Sequence, residues 1–341
     1  MLRQSLLYLS DNQAVRRAVS ETGVSRRLVE RFVAGETLDE AISVARALNE
    51  AGLLVSLDHL GELVITREEA LSAVDMAIRS VERIALDEIR GNISVKPTQL
   101  GLGIEVDFCL ANMERILTRA REVGKGDDEI FVRVDMESSD YTEKTIGLIE
   151  ALWEKGFRNV GTVIQSYLHR SPGDIARLTA LGSRVRLVKG AYNEPAGVAY
   201  PDKADVDRKF VEEMKTLLAA GHYPAIATHD DSMIAATRRY AFEHGIPRDS
   251  FEFQMLYGIR RDLQTRLREE GYNVRIYVPY GNSWYPYLMR RMAERPSNLF
   301  FVARGVAKES PLGRVGRPFA IGAGAVAGAF AALAWRGRNS K

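Results

Sequence analysis

The sequence predicts an α/β protein built as a (β/α)8 barrel of the TIM type, led by an N-terminal helical segment. Three observations predict it. From Leu53 onward, short β-branched or apolar runs recur eight times. Each leads through a polar or Gly-containing loop towards a helix-period stretch. No glycine-rich phosphate loop follows the first runs, as an open doubly wound sheet would need. Eight strand-then-helix units is the number that closes a parallel barrel.

Residues 1–51 read as helices stopped at Gly52. The strands are then LLVSLD (53–58), ISVK (93–96), IFVRVDM (130–136) and VGTVIQ (160–165). They continue as VRLVKG (185–190), AIATH (225–229), FEFQML (251–256) and VRIYVPY (274–280). Between them lie amphipathic runs such as 66–90, 141–156 and 207–221, whose apolar residues recur at helical spacing. The runner-up, an open dinucleotide-binding sheet, lacks its fingerprint. "GLG" at 101–103 misses the third glycine, and "GAGAVAG" at 322–328 has nothing after it to complete a βαβ unit. The barrel catalytic region is expected over 52–304, with a C-terminal tail over 305–341.

Composition narrows the function. A chain that is 46% hydrophobic can bury a substantial core. Its 47 basic and 45 acidic residues nearly cancel, so no bulk field argues for nucleic acid. Cys109 is the one cysteine, which rules out an internal disulfide, and the N-terminus has no signal-peptide pattern. Both suit a reducing cytoplasm. Five histidines, without HExxH or CxxC, give no ligand set for zinc, and no metal is expected.

Barrel enzymes carry their catalytic side chains at the C-terminal ends of the strands. Here those ends bear Asp58, Lys96, Asp135, Gln165, Arg186 with Lys189, Thr228 with His229, and Tyr277. A helix opening after Gly281-Asn282 would add Tyr287, Arg290, Arg291 and Glu294 on one face. A solvated face with an Arg290–Glu294 pair is the plainer reading of that helix alone. As a set, the strand ends are rich in cations, and arginine's fork binds a carboxylate in bidentate fashion. Tyr192, Tyr277 and Tyr287 would wall a compact apolar ring. The stretch Arg186 to Tyr192, with Thr228 and His229, is donor-rich and suits a phosphate or an electron-rich heterocycle. The residues thus point to a barrel enzyme with a small carboxylate substrate and a larger anionic cofactor.

Seven collinear motifs add a resemblance. They are "ISVKPTQLGLGIE" (93–105), "VRVDME" (132–137), "VIQSYL" (163–168), "RLVKGAY" (186–192), "ATHDD" (227–231), "FEFQMLYG" (251–258) and "RIYVPYG…WYPYLMRRMAERPSNLFFVAR" (275–304). From "RFVAGET" (31–37) to Arg304 the chain resembles the bacterial single-function proline dehydrogenases. That resemblance implies a distorted (β/α)8 barrel that binds FAD and oxidises L-proline to 1-pyrroline-5-carboxylate. Hydride would pass from proline C5 to the flavin N5, and electrons onward to a membrane quinone. It also implies that a separate pyrroline-5-carboxylate dehydrogenase acts next.

Residue by residue, the resemblance gives Lys96, Arg290 and Arg291 to the proline carboxylate. Asp135 would hold the cationic cluster in place, and Glu294 would orient an arginine from the next turn. Tyr287, Tyr277, Tyr192 and Leu256 would enclose the ring. Arg186 matches the arginine near the flavin N5 edge. Met136, Gln165, Lys189, Gly190, Ala191, Thr228 and His229 match flavin-contacting positions. The rival from another class is a class I aldolase, with Lys96 or Lys189 forming a Schiff base. Outside the family pattern lies "FAIGAGAVAGAFAALAW" (319–335), an uncharged run flanked by Arg314, Arg317, Arg336 and Arg338. At about 25 Å as a helix it falls short of a bilayer core. A docked or disordered tail and a tether to the inner face of the plasma membrane are its two readings.

Overall fold

Thr37 opens the first helix of the barrel body by accepting the Glu40 N–H while the Glu40 side chain returns to the Thr37 backbone, a reciprocal cap. That helix is α1, Leu38–Glu50. The computed structural model describes residues 31–61, 64–124 and 129–288. Strands β1 (Leu54–His59), β2 (Gly91–Val95), β3 (Val132–Val134) and β4 (Val160–Gln165) form the first half of the sheet. Strands β5 (Val185–Val188), β6 (Ala225–Ala227), β7 (Glu252–Leu256) and β8 (Asn273–Tyr280) form the second. Every neighbouring pair is parallel, and β8 pairs with β1 to close the barrel. The sequence prediction of eight parallel strands is borne out.

Helices separate the strands: α2 (Arg67–Leu86), α3 (Val106–Glu122), α4 (Ser139–Glu154), α5 (Ser171–Leu181), α6 (Lys203–Ala220), α7 (Asp231–Glu243) and α8 (Arg261–Glu269). Their apolar stripes explain why they pack. On α3 the buried positions are Cys109, Asn112, Met113, Ile116, Leu117 and Ala120, an i, i+3, i+4, i+7 series facing the sheet. Burial of each large apolar side chain contributes roughly 1.5–3 kcal/mol.

Phe32–Asn282 make one compact unit. Helix α1 belongs to it: Ala34 N–H donates to Pro279 O at 2.8 Å and Gly281 N–H to Gly35 O at 2.9 Å, so this part of the N-terminal segment packs on β8 and β1. The second unit comprises Met1–Arg31 and Ser283–Lys341. Of it, residues 284–288 are helical, beginning after the Gly281-Asn282 turn as the sequence suggests. The tail 305–341 and most of the N-terminal segment lie outside the described residues.

Several strands end earlier than their composition suggests. β3 stops at Val134 rather than Met136, β5 at Val188 rather than Gly190, and β6 at Ala227 rather than His229. The chain beyond them stays extended on one side: Asp135 N–H still donates to Val95 O at 2.8 Å, and Tyr167 N–H to Lys189 O at 2.9 Å. β-propensity persists past the last two-sided pairing, so sequence alone overruns the ladder.

Candidate active site

The lumen of the barrel is polar at its mouth and below it. Arg186 on β5 is 4% exposed and reaches three other strands. Its Nη1 donates to Asp135 Oδ1 at 2.7 Å just beyond β3, its Nη2 to Ser94 Oγ at 3.0 Å on β2, and its Nε to Gln254 Oε1 on β7. The other Asp135 oxygen accepts the Tyr277 hydroxyl of β8 at 2.8 Å. Tyr277's ring lies 5.3 Å from the Arg186 guanidinium carbon. Burial first, then Asp135, pushes the Tyr277 hydroxyl far above its ordinary range, so it stays protonated and donates. Asp135, Arg186 and Tyr277, predicted together from sequence, are joined in one hydrogen-bonded cluster.

Beside this cluster Lys96 Nζ pairs with Asp58 at 2.9 and 3.2 Å. Burial disfavours its charge, but Asp58 and then Asp135 more than offset that, and the ammonium is held above its ordinary range. A Schiff-base lysine needs the opposite, a neutral amine at working pH. The geometry at Lys96 therefore opposes the aldolase reading.

Lys189 sits just past β5 between two carboxylates, with Nζ 2.6 Å from Asp207 Oδ1 and 3.0 Å from Asp230 Oδ2. Asp230 also caps α7 by accepting Ser232 N–H at 3.0 Å. Burial raises its carboxyl, yet Ser232 and Lys189 together hold it well below the usual carboxylate range. With Lys203 also on Asp207, the charges of this group cancel, so Lys189 presents no bare cation. Gly190 follows at φ +114°, where a Cβ would lie 2.2 Å from the Tyr167 ring, so both conformation and packing require glycine.

The other predicted positions within the barrel unit lie at the same end. Thr228 Oγ1 accepts Asp230 N–H at 3.1 Å, and His229 Nε2 accepts Leu256 N–H at 2.9 Å, which places the ring proton of neutral His229 on Nδ1. Gln165 Nε2 donates to Glu137 O at 2.8 Å, while Met136 is buried beside Asp135. Ala191 and Tyr192 follow Gly190 in the β5–α6 loop, and Tyr192 keeps 38% of its surface exposed. Tyr287 belongs to the second unit and is buried, and Arg290, Arg291 and Glu294 lie outside the described residues.

Sequence reasoning missed several groups that build this mouth. Glu137 accepts Thr98 N–H at 2.9 Å and its hydroxyl at 2.7 Å, tying the β2–α3 loop behind Lys96. Glu194 accepts Ser139 N–H at 2.8 Å and its hydroxyl at 2.5 Å, pinning the Tyr192 loop to the N-terminus of α4, where a carboxylate is favoured. Glu252, Gln254 and Arg275 complete the floor. Their signal was present: polar residues alternate with apolar ones in "FEFQML" and "VRIYVPY". In a barrel whose outer face meets helices, the polar set of that alternation must face the lumen. Among the described residues no group of acidic, histidine and cysteine side chains is arranged to hold a metal.

Residues 41–304 match the family model for proline dehydrogenase. The chain belongs to the proline dehydrogenase family. It is 40% identical over 309 residues to proline dehydrogenase 1 of Bacillus subtilis, covering 91% of this chain and 100% of that one. It is 45% identical over 285 residues to the proline dehydrogenase of Deinococcus radiodurans, covering 82% and 90% respectively. Among solved structures it resembles proline utilization A (PutA) from Bdellovibrio bacteriovorus, with a TM-score of 0.75 and 26% identity over 91% of this chain. The chain spans 38% of that PutA chain. In this proline dehydrogenase fold the donor set suits a flavin, as family membership implies. The Gln165 amide, the Thr228 hydroxyl, the His229 ring and the Arg186 cation supply the mixed donors and acceptors that a polar heteroaromatic edge requires. Ser166 adds a buried hydroxyl without a partner among the described residues.

Replacing Glu194 by Ala is expected to loosen the Tyr192 loop of this proline dehydrogenase. Loss of a hydrogen bond to a charged group should raise local opening, and hence amide exchange over residues 191–194, roughly tenfold or more. Unchanged exchange there would remove Glu194 as the anchor.

Proposed function

We propose that the protein is an FAD-dependent proline dehydrogenase that oxidises L-proline to 1-pyrroline-5-carboxylate and delivers the electrons to a membrane quinone. The observation that carries the reading is the Asp135–Arg186–Tyr277 cluster at the mouth of a barrel whose sequence matches the family from residue 41 to residue 304. FAD, when bound, supplies the acceptor for the hydride that leaves proline.

The chain's own residues bind and orient. Lys96 keeps its charge beside Asp58 and offers it to the substrate carboxylate, with Arg290 and Arg291 as the other two cations and Glu294 as their orienting partner. Tyr277, Tyr192, Tyr287 and Leu256 wall the pyrrolidine ring and exclude water. Asp135 sets the direction of both the Arg186 fork and the Tyr277 hydroxyl, so the floor of the site is fixed before substrate enters. Holding a ring in a reactive orientation is worth roughly 7–11 kcal/mol of barrier in favourable cases. Arg186, Met136, Gln165 and Thr228 would hold the flavin ring. Lys189, Gly190, Ala191 and His229 would hold its chain and phosphates, with Lys189 turning from one of its carboxylates to do so.

The test is the visible spectrum of the purified protein before and after anaerobic L-proline. A flavin spectrum that bleaches with proline is expected. A colourless protein that takes up no FAD overturns the proposal, and a flavin that proline leaves oxidised overturns the substrate. Arg291→Lys should raise KM for proline about tenfold or more, because an ammonium cannot reproduce a planar fork; an unchanged KM removes Arg291 from the carboxylate site. Among the described residues no helix is long and apolar enough to cross a membrane. Membrane contact is assigned to residues 319–335, and equal recovery in the membrane fraction with and without residues 310–341 would refute that assignment.

A further inference from the structure

Below the mouth, the lumen holds a chain of buried polar groups that the proposed chemistry leaves without a task. Gln254 on β7, 3% exposed, is its centre. Its Oε1 accepts the Arg186 Nε–H, and its Nε2 donates to Glu252 Oε1. Glu252 in turn accepts Arg275 Nε through both oxygens, at 2.9 and 3.1 Å, and Arg275 Nη1 is tied to the Val55 carbonyl at 2.9 Å. An arginine only donates and an ionised carboxylate only accepts, so one orientation of the Gln254 amide satisfies both neighbours. Burial pushes the Glu252 carboxyl up, but the charge and hydrogen bonds of Arg275 more than offset this and hold it below its ordinary range. Glu252 therefore remains an acceptor, and Gln254 cannot flip without setting like against like.

Arg186 needs such a fixture. Asp135 and Ser94 hold its two terminal nitrogens, which define a line but leave the guanidinium free to rock about it. The Nε bond from across the lumen is a third point, and three points fix a plane. We propose that Gln254 is a positioning residue for the oxidation step: held in one orientation by the Glu252–Arg275 pair, it fixes the plane of the Arg186 guanidinium at the mouth. The proposal rests on the reading of Arg186 as a flavin contact in the reaction above.

Two variants test it. Gln254→Met keeps length and bulk and removes both hydrogen bonds. Gln254→Glu keeps the shape and, while protonated, both bonds, since its carbonyl accepts from Arg186 and its O–H donates to Glu252. The charged groups facing position 254 are Glu252 on its own strand, Arg186 on β5 and Arg275 on β8. Asp135 acts through Arg186, and Arg133 on β3 acts on Arg186, Glu252 and Arg275. Above its own pKa the new carboxylate would face Glu252, and the native orientation would be lost.

Flavin content, the flavin spectrum, and kcat and KM for proline would be measured from about pH 6 to about pH 9. Both variants are expected to retain flavin. Gln254→Met should lower kcat roughly 10- to 100-fold, the range for losing hydrogen bonds to a charged group, with KM changed far less. Gln254→Glu should follow the wild type at low pH and the methionine variant at high pH, through an ionisation the wild type lacks, with the flavin spectrum moving in step. A methionine variant with wild-type kcat and spectrum overturns the proposal, as does a glutamate variant equal to the methionine one at every pH. If the methionine variant does not fold, the pH profile of the glutamate variant decides alone. Wild-type flavin that proline fails to bleach would instead refute the reaction, and the spectra of the variants would still report on Arg186.

Discussion

Replacing Asp135 by Asn is expected to lower the rate of flavin reduction by proline about 100-fold or more while flavin stays bound. Two hydrogen bonds to a charged carboxylate are at stake, from Arg186 at 2.7 Å and from Tyr277 at 2.8 Å. Each is worth roughly 1.5–3 kcal/mol. Asparagine keeps the shape, but one of its two ends is a donor. Turned towards Arg186, that end meets another donor; turned towards Tyr277, it forces the hydroxyl to rotate and accept. In either arrangement the buried Arg186 loses its counter-ion, and the buried Arg133 already disfavours an unpaired cation there. Stopped-flow reduction alongside flavin content would check this. A variant that loses its flavin would move Asp135 from orienting the site to retaining the cofactor.

The second large effect concerns stability. Glu213 on α6 is 4% exposed among Phe210, Met214 and Leu217, and neither of its carboxyl oxygens has a hydrogen-bond partner among the described residues. Burial pushes its carboxyl up to about 8, against a partial opposing pull from Lys209 and with a small push from Glu212. The folded protein therefore holds a proton that the unfolded chain releases near the ordinary value of 4.5. Between those values the folded state binds more protons, so stability falls as pH rises, by about 1.4 kcal/mol per pH unit, and levels off above the folded value. Glu213→Gln should match the wild type near pH 5. It should then gain on it steadily, with an advantage of several kcal/mol near pH 8. Melting temperatures of the two proteins across that range would show the divergence. Parallel curves would mean that Glu213 is solvated or paired in solution.

What could be read from the sequence followed from what each residue says about its own strand. Runs such as "VGTVIQ" and "VRIYVPY" announce β4 and β8 because β-branched residues fill them, and strand ends in a parallel barrel share one rim, so Asp135, Arg186 and Tyr277 were legible as residues of one mouth. Partners across the lumen were a different matter. That Arg186 meets Ser94 and Gln254 depends on barrel shear and side-chain reach, which no local pattern encodes. Lys189 illustrates the same limit. Its position after β5 was legible, but its two carboxylates come from α6 and the start of α7, far apart in the chain. A lysine that the sequence offers as one more cation of the rim is a neutralised one.

The Glu252–Arg275 pair also bears on how such a barrel can be assembled. Arg275 arrives on the last strand, and β8 completes the ring only by pairing with β1 over Leu54–His59. Until then Glu252 lacks its principal counter-ion, and in an open, seven-stranded precursor only the Gln254 hydrogen bond and the more distant Arg133 act against the cost of drying its carboxylate. Such a precursor keeps its interior wet, and drying and closure become one event. Half-barrels cut between these strands would be poor folding units, and chimaeras exchanging β8 would tolerate the swap only if residues 252 and 275 travelled together.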